Sequence, residues 1–300
     1  MRILLLGKNG QVGWELQRTL SPLGEVIAMG REQANFLAPE SLHELVSHCK
    51  PNWIVNAAAY TAVDKAESDQ EAAFKVNAES VEVLAQQAKR IGAKLVHYST
   101  DYVYDGTKPG TYLETDAVNP VSVYGKSKLA GEEAIRAAGC EHFIFRTSWV
   151  FAARGGNFIK TMLRLAAERE QLKVVADQFG APTSAELIAD VTAHCIQSAE
   201  NGLTDAWGTY HLVAGGETSW HGYACHVIEG ALARGVALAI KPESVMPITT
   251  EELSAFAIRP KNSRLLTKKM ETIFKLQMPN WQFNVDRVLD EIIVNGVERL

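Results

Sequence analysis

Cysteine is scarce in this chain. Cys49, Cys140, Cys195 and Cys225 are the only four in 300 residues, far apart and with no C-x-x-C pair. Their scatter excludes a disulfide framework and a cysteine-built zinc site, and leaves all four to be read as small buried hydrophobes. The eight histidines form no H-E-x-x-H, so a histidine zinc site lacks its pattern too. Long apolar runs are missing: nothing approaches 18 residues, and the run in MRILLLGKNG is too short for a signal-peptide core. Excess positive charge is missing as well. Thirty Lys and Arg against 35 Asp and Glu give −5, which recommends no nucleic-acid partner. A soluble, cytoplasmic protein without a membrane span is expected.

What is present is a hydrophobic fraction of 47% over 300 residues, enough for a large core. Up to about residue 150, short apolar runs alternate with amphipathic stretches. Strands are expected over 2–6, 25–29, 53–56, 94–99 and 142–147, and helices over 11–20, 39–49, 71–91 and 121–138. That rhythm predicts an α/β fold, a Rossmann-type doubly wound parallel sheet with helices on both faces. Beyond residue 150 the rhythm loosens. Helices are expected over 157–168, 183–198, 220–233 and 285–298, with a Pro- and Thr-richer stretch over 241–260. Residues 1–150 are thus read as the dinucleotide-binding domain, to which later segments can return. Residues 151–300 are read as mainly a smaller α/β substrate lobe.

Gly7, Gly10 and Gly13 form G-x-x-G-x-x-G between the first strand and the first helix. Glycines there permit a tight turn and let helix N–H groups meet a pyrophosphate. The acid expected about 20 residues on, to hold an adenosine ribose, is missing. Met29-Gly30-Arg31 stands in its place, and Arg31 offers a charge to a 2′-phosphate. NADPH is therefore expected to be accepted beside NADH, although Arg31 reads equally as a solvated loop residue.

Tyr-x-x-x-Lys occurs twice, at Tyr124–Lys128 and at Tyr104–Lys108. Four residues bring two side chains to one face only on a helix. Gly106, Pro109 and Gly110 break any helix across the second pair, whereas Tyr124 opens a run of good helix formers behind Pro120. Lys126, at i+2, points elsewhere. An ammonium beside Tyr124 is expected to lower the phenol's pKa. Thr100, at the end of the fourth strand, adds a hydroxyl at the edge where open α/β sheets collect ligands. Together Thr100, Tyr124 and Lys128 suit proton delivery to a carbonyl oxygen. His97, inside the apolar strand, reads as a satisfied core histidine, and His221 and His226 as surface or packing residues.

With this set the chain resembles the extended short-chain dehydrogenase/reductases. The segments GKNGQVGWELQ, VNAAAYTAVDKAE, HYSTDYVYDG, VYGKSKLAGE, FRTSWVF, DQFGAPT and RPKNSRL narrow the resemblance to their dTDP-4-dehydrorhamnose reductase family. The resemblance implies reduction of the C4 carbonyl of dTDP-4-dehydrorhamnose with Thr100, Tyr124 and Lys128 as catalytic residues. It is the last step of dTDP-L-rhamnose synthesis, which feeds surface polysaccharides such as the lipopolysaccharide O-antigen. Gly10, Gln11, Val12, Asn35, Phe36, Ala59, Tyr60 and Thr61 would line the dinucleotide, with Tyr98 and Lys128 near the nicotinamide ribose. Asp101 and Trp149 would meet the sugar. The family also implies a homodimer linked by Mg²⁺ through Glu15, Glu186 and Glu291. Each glutamate has a plainer reading: Glu15 and Glu291 as solvated helix residues, and Thr183 to Glu186 as a helix capping box. Related dehydratases carry Glu after Thr-Asp, where this chain has Tyr102. Epimerases, reductases forming 6-deoxy-talose and a non-catalytic regulatory subunit of the same fold remain alternatives.

Overall fold

The computed structural model describes residues 1–253 and 256–294; the last part of the expected C-terminal helix, 295–298, lies outside them. The first half alternates β1 (Arg2–Leu6), α1 (Gln11–Leu20), β2 (Glu25–Met29), α2 (Ser41–Cys49) and β3 (Trp53–Asn56). It continues with α3 (Val63–Ala66), α4 (Gln70–Phe74), α5 (Ser80–Ile91), β4 (Lys94–Thr100), α6 (Val123–Ala138) and β5 (His142–Thr147). The second half holds β6 (Val150–Phe151), α7 (Phe158–Glu168), β7 (Leu172–Val175), β8 (Phe179–Gly180), β9 (Thr183–Ser184) and α8 (Ala185–Glu200). It ends with β10 (Gly208–His211), β11 (Thr218–Ser219), α9 (Trp220–Ala233), β12 (Val245–Ile248), α10 (Lys268–Phe274) and α11 (Trp281–Val294).

Six strands form one sheet in the order β10-β5-β4-β3-β1-β2, every pair parallel. Side chains alternate across it because successive Cβ atoms point to opposite faces. Ile3, Leu5, Val55, Val96, Phe143 and Phe145 face α1, α8 and α10. Leu4, Leu6, Ile54, Leu95 and Ile144 face α2, α5 and α6. A separate core of Phe151, Ile159, Leu163, Tyr223, Val227, Trp281 and Val285 holds the second half together. Both α8 and the edge strand β10 come from the second half of the chain and complete the sheet. Cys49, Cys140 and Cys195 are buried, and Cys225 is half-buried beside His221.

The strand order reverses between β1 and β3, which opens a crevice at their carboxyl ends. Two departures from the expected elements shape that crevice. The helix expected over 71–91 is interrupted by a π-helical turn, Lys75–Glu79, between α4 and α5. The expected capping box is displaced by one residue, since Ser184 caps α8 by accepting from Leu187 N at 3.1 Å. Thr183 lies in β9 and accepts from Ala214 N at 3.2 Å instead.

Candidate active site

The glycine loop sits at the strand-order reversal. Gly7 has φ +85°, and a Cβ on it would lie 2.6 Å from Ala58 N, so β1 and β3 release their loops in direct contact. A Cβ on Gly13 would lie 2.1 Å from Gly7 O, which fixes α1 tightly behind the turn. Gly10 differs. Its nearest obstacle would be 3.5 Å away, so its missing side chain leaves room on the cleft side. The cleft encloses about 380 Å³ and is lined by Gly7, Gly10, Arg31, Asn35, Phe36, Ala59 and Tyr60 among others. Gln11 and Val12 follow in the first turn of α1, with Gln11 accepting from Asn157 Nδ2 at 3.1 Å. Thr61 is exposed directly after Tyr60. Backbone N–H groups at a helix start, glycine clearance and Arg31 together fit a dinucleotide.

The π-turn supplies a support that sequence reasoning missed. Asn77, buried within it, accepts from Tyr60 N at 2.9 Å and donates to Tyr60 O at 3.1 Å and Ser127 Oγ at 3.0 Å. One amide thus pins the cleft-lining loop to α6. A single widened turn with helix on both flanks reads, by helix-forming residues alone, as one continuous helix over 71–91.

Thr100 closes β4, two strands along the sheet from β1, and caps a 3₁₀ turn, its Oγ1 accepting from Tyr102 N at 3.2 Å. It donates to Asp101 Oδ1 at 3.1 Å. The other Asp101 oxygen accepts from Ser263 Oγ, within the RPKNSRL segment. Burial pushes the Asp101 carboxyl up to about 6, with the Ser263 and Thr100 hydrogen bonds opposing it. Ser122 caps α6 by accepting from Gly125 N. A Cβ on Gly125 would lie 2.2 Å from Tyr102 O, so the helix start is jammed against the Thr100 turn. That contact brings Tyr124 to Thr100, with the Tyr102 ring edge-on to it at 5.5 Å.

The expected lowering of the Tyr124 pKa is not found. The residue is half-buried, and desolvation of the phenol pushes it up to about 12, with the Thr100 hydroxyl pulling the other way. Lys128 is fully buried, and its Nζ is turned to Tyr98 O at 2.7 Å and His97 Nε2 at 3.1 Å. Burial brings its ammonium down to about 8, against the pull of Glu132. The Tyr98 phenol itself is taken up by Thr192 at 2.8 Å.

Tyr104 and Lys108 are not a second site. Tyr104 is buried, stacked on Tyr112, and accepts from Arg146 Nη1 at 2.7 Å. Its hydroxyl also meets His211 Nε2 at 2.8 Å, and Lys108 pairs with Asp116. Trp149 sits with φ +49° and stacks on Trp220 at 3.7 Å, while Gly180 clears space for it. Such a backbone in a bulky residue is strained and is held only by dense surroundings. The 257–263 segment is tied to α3: Asp64 accepts from Ala257 N at 3.0 Å and Arg259 Nη2 at 2.9 Å.

The family model described as "RmlD substrate binding domain" matches residues 1–294. The chain belongs to the RmlD family. Its relatives include the dTDP-4-dehydrorhamnose reductase of Escherichia coli K12, 52% identical over 296 residues, with 97% of this chain and 98% of that protein covered. That of Burkholderia thailandensis is 48% identical over 298 residues, covering 98% and 99%. A solved Bacillus anthracis dTDP-4-dehydrorhamnose reductase in complex with NADP superposes with a TM-score of 0.85 at 34% identity, covering 98% and 99%. An NAD-bound UDP-glucose 4-epimerase of Thermus thermophilus, at 19% identity and a TM-score of 0.79, shares the fold.

For this RmlD-family chain the implied metal set does not assemble alone. Glu15 is raised by burial and then by the charges of Glu186 and Glu291, so the three carboxylates face one region. Glu15 also meets Arg18, and Glu186 meets Arg287. Among the described residues no three His, Cys, Asp or Glu gather to hold an ion. No helix among the described residues is long and apolar enough to cross a membrane.

Proposed function

We propose that this protein reduces the C4 carbonyl of dTDP-4-dehydro-β-L-rhamnose to dTDP-β-L-rhamnose, using NADPH or NADH. The reading is carried by one conjunction: Thr100 and Tyr124 stand together at the end of β4, in the sheet whose β1 ends in the glycine turn, in a chain matching reductases over 97% of its length. The bound dinucleotide supplies the hydride. Tyr124 supplies the proton, and a phenol pushed up to about 12 is fully protonated at neutral pH, as an acid must be. Thr100 orients the carbonyl oxygen and then steadies the tyrosinate. Lys128 holds the nicotinamide ribose, and Asp101 and Trp149 meet the deoxysugar. In this reading residues 1–150, completed by α8 and β10, carry the dinucleotide, and the lobe around α7, α9 and α11 carries the sugar.

Product NMR after incubation with dTDP-4-dehydrorhamnose and each nicotinamide cofactor tests this. Stoichiometric cofactor oxidation with a rhamnose product is expected. A talose product, or interconversion without net oxidation, removes the reading, and no turnover supports a regulatory subunit. A cytoplasmic homodimer joined through Mg²⁺ at the three glutamates belongs to the same proposal. A sedimentation mass unchanged by EDTA would remove the metal from it.

A further inference from the structure

Lys128 ends a line of three buried polar side chains, and proton delivery from Tyr124 does not use the two behind it. Asn56 ends β3, His97 lies beside it in β4, and Lys128 reaches in from α6; none is more than 1% exposed. Asn56 Nδ2 stands 3.1 Å from His97 Nδ1, and His97 Nε2 stands 3.1 Å from Lys128 Nζ. Asn56 Oδ1 accepts from Ala58 N at 3.1 Å, and Ala58 lines the dinucleotide cleft.

Donor and acceptor bookkeeping along this line allows two consistent states. The Ala58 N–H can only donate, so the amide oxygen faces it and the amide NH₂ faces His97 Nδ1. That nitrogen then accepts, and the neutral ring carries its proton on Nε2, aimed at Lys128. The contact closes as a hydrogen bond only if the lysine is a neutral amine, because an ammonium has no lone pair. A charged Lys128 demands the reverse. Nε2 then accepts, Nδ1–H donates to the amide oxygen, the amide turns over, and the Ala58 N–H loses its partner.

We propose that Asn56 and His97 are positioning residues forming a two-state relay, in which protonation of Lys128 switches the His97 tautomer and frees the Ala58 N–H in the cleft wall. The charged groups that act on the line are Lys128 itself, on His97, and Glu132 on α6, on Lys128. Glu132 is engaged by Arg146 and Arg136, so its charge is largely spent there. Burial holds His97 neutral, and Lys128 reinforces this, so the ring changes tautomer rather than charge. The relay concerns the ligand-free protein; only its consequence, dinucleotide binding linked to one proton, rests on the reductase reading.

Nitrogen-15 NMR of the histidine and lysine side chains of the whole ligand-free protein, from about pH 6 to 10, tests it. His97 is expected to pass from Nδ1–H to Nε2–H as Lys128 loses its proton, at one shared midpoint. A single His97 tautomer across the lysine titration overturns the relay, and this measurement needs no variant. Asn56→Asp, which accepts on both oxygens, is expected to hold Nδ1–H throughout and raise the Lys128 midpoint by about one pH unit or more. His97→Phe should remove most of that rise, whereas an equal rise without the imidazole shows simple charge attraction and overturns the relay. NADPH titrations on the same samples separate the two readings. Wild-type Kd should change about tenfold per pH unit on one side of the midpoint, and Asn56→Asp should flatten that slope. A switching tautomer in a protein that binds neither NADPH nor NADH would instead sink the reductase reading alone.

Discussion

Tyr124–Lys128 and Tyr104–Lys108 share a spacing and little else. The first pair stands on one helix, with the phenol beside Thr100 and the ammonium buried against a carbonyl and an imidazole. The second pair spans a turn, its phenol engaged by Arg146 and His211 and its lysine by Asp116. One phenol has a single hydroxyl, that of Thr100, pulling on it, and the other is engaged by Arg146 and His211. Spacing names a face only when the backbone supplies one. What distinguishes the pairs physically is the sign of their contribution to stability.

The largest effect expected is on turnover. Tyr124→Phe should lower kcat by about 10²–10⁴-fold while leaving the melting temperature nearly unchanged. Near-normal turnover would erase the distinction between the pairs. Tyr104→Phe should do the opposite, costing about 1–3 kcal/mol by leaving Arg146 and His211 without an oxygen, with kcat preserved. Denaturant melts and initial rates on the same preparation check both.

Lys128→Met should abolish activity yet stabilise the protein at pH 7, by about 1–3 kcal/mol. The sign follows from the ammonium's position at about 8 in the fold, below its ordinary 10.5. Between those values the unfolded chain holds the proton and the folded chain does not, so wild-type stability rises with pH there. The variant's advantage should therefore shrink from about pH 8 to 10, and an advantage independent of pH would show that Lys128 carries no such penalty. The smallest effect belongs to Arg31, which touches neither pair. Arg31→Ala should lower kcat/KM for NADPH about tenfold and spare NADH, the loss of one charge-assisted contact.

The parallel sheet was legible because buried strands read as short apolar runs, and Thr100, Tyr124 and the glycine loop because each stands at an element boundary. Trp220–Ala233 appears where periodicity placed it. Less legible was anything decided by contact across the chain. His97 reads as a core histidine from its strand, and it is one, but nothing local says that its second nitrogen meets Lys128. Ser263 could be quoted as part of a family segment without a partner, since Asp101 lies 162 positions away. The lowered tyrosine pKa failed for the same reason: four residues place an ammonium on the right face, but burial and the choice of acceptor decide where it points.

The return of α8 and β10 to the sheet has a consequence for synthesis. When the ribosome has delivered residues 1–150, β1, β3, β4 and β5 can already align, with α1 to cover part of one face. The remainder of that face, including Phe143 and Phe145, waits for Ile188, Val191, Ile196 and Tyr210. For some sixty further residues of translation, the nascent sheet carries an uncovered apolar face and an unpaired β5 edge. The nucleotide-binding half is therefore finished late, by the half that follows it.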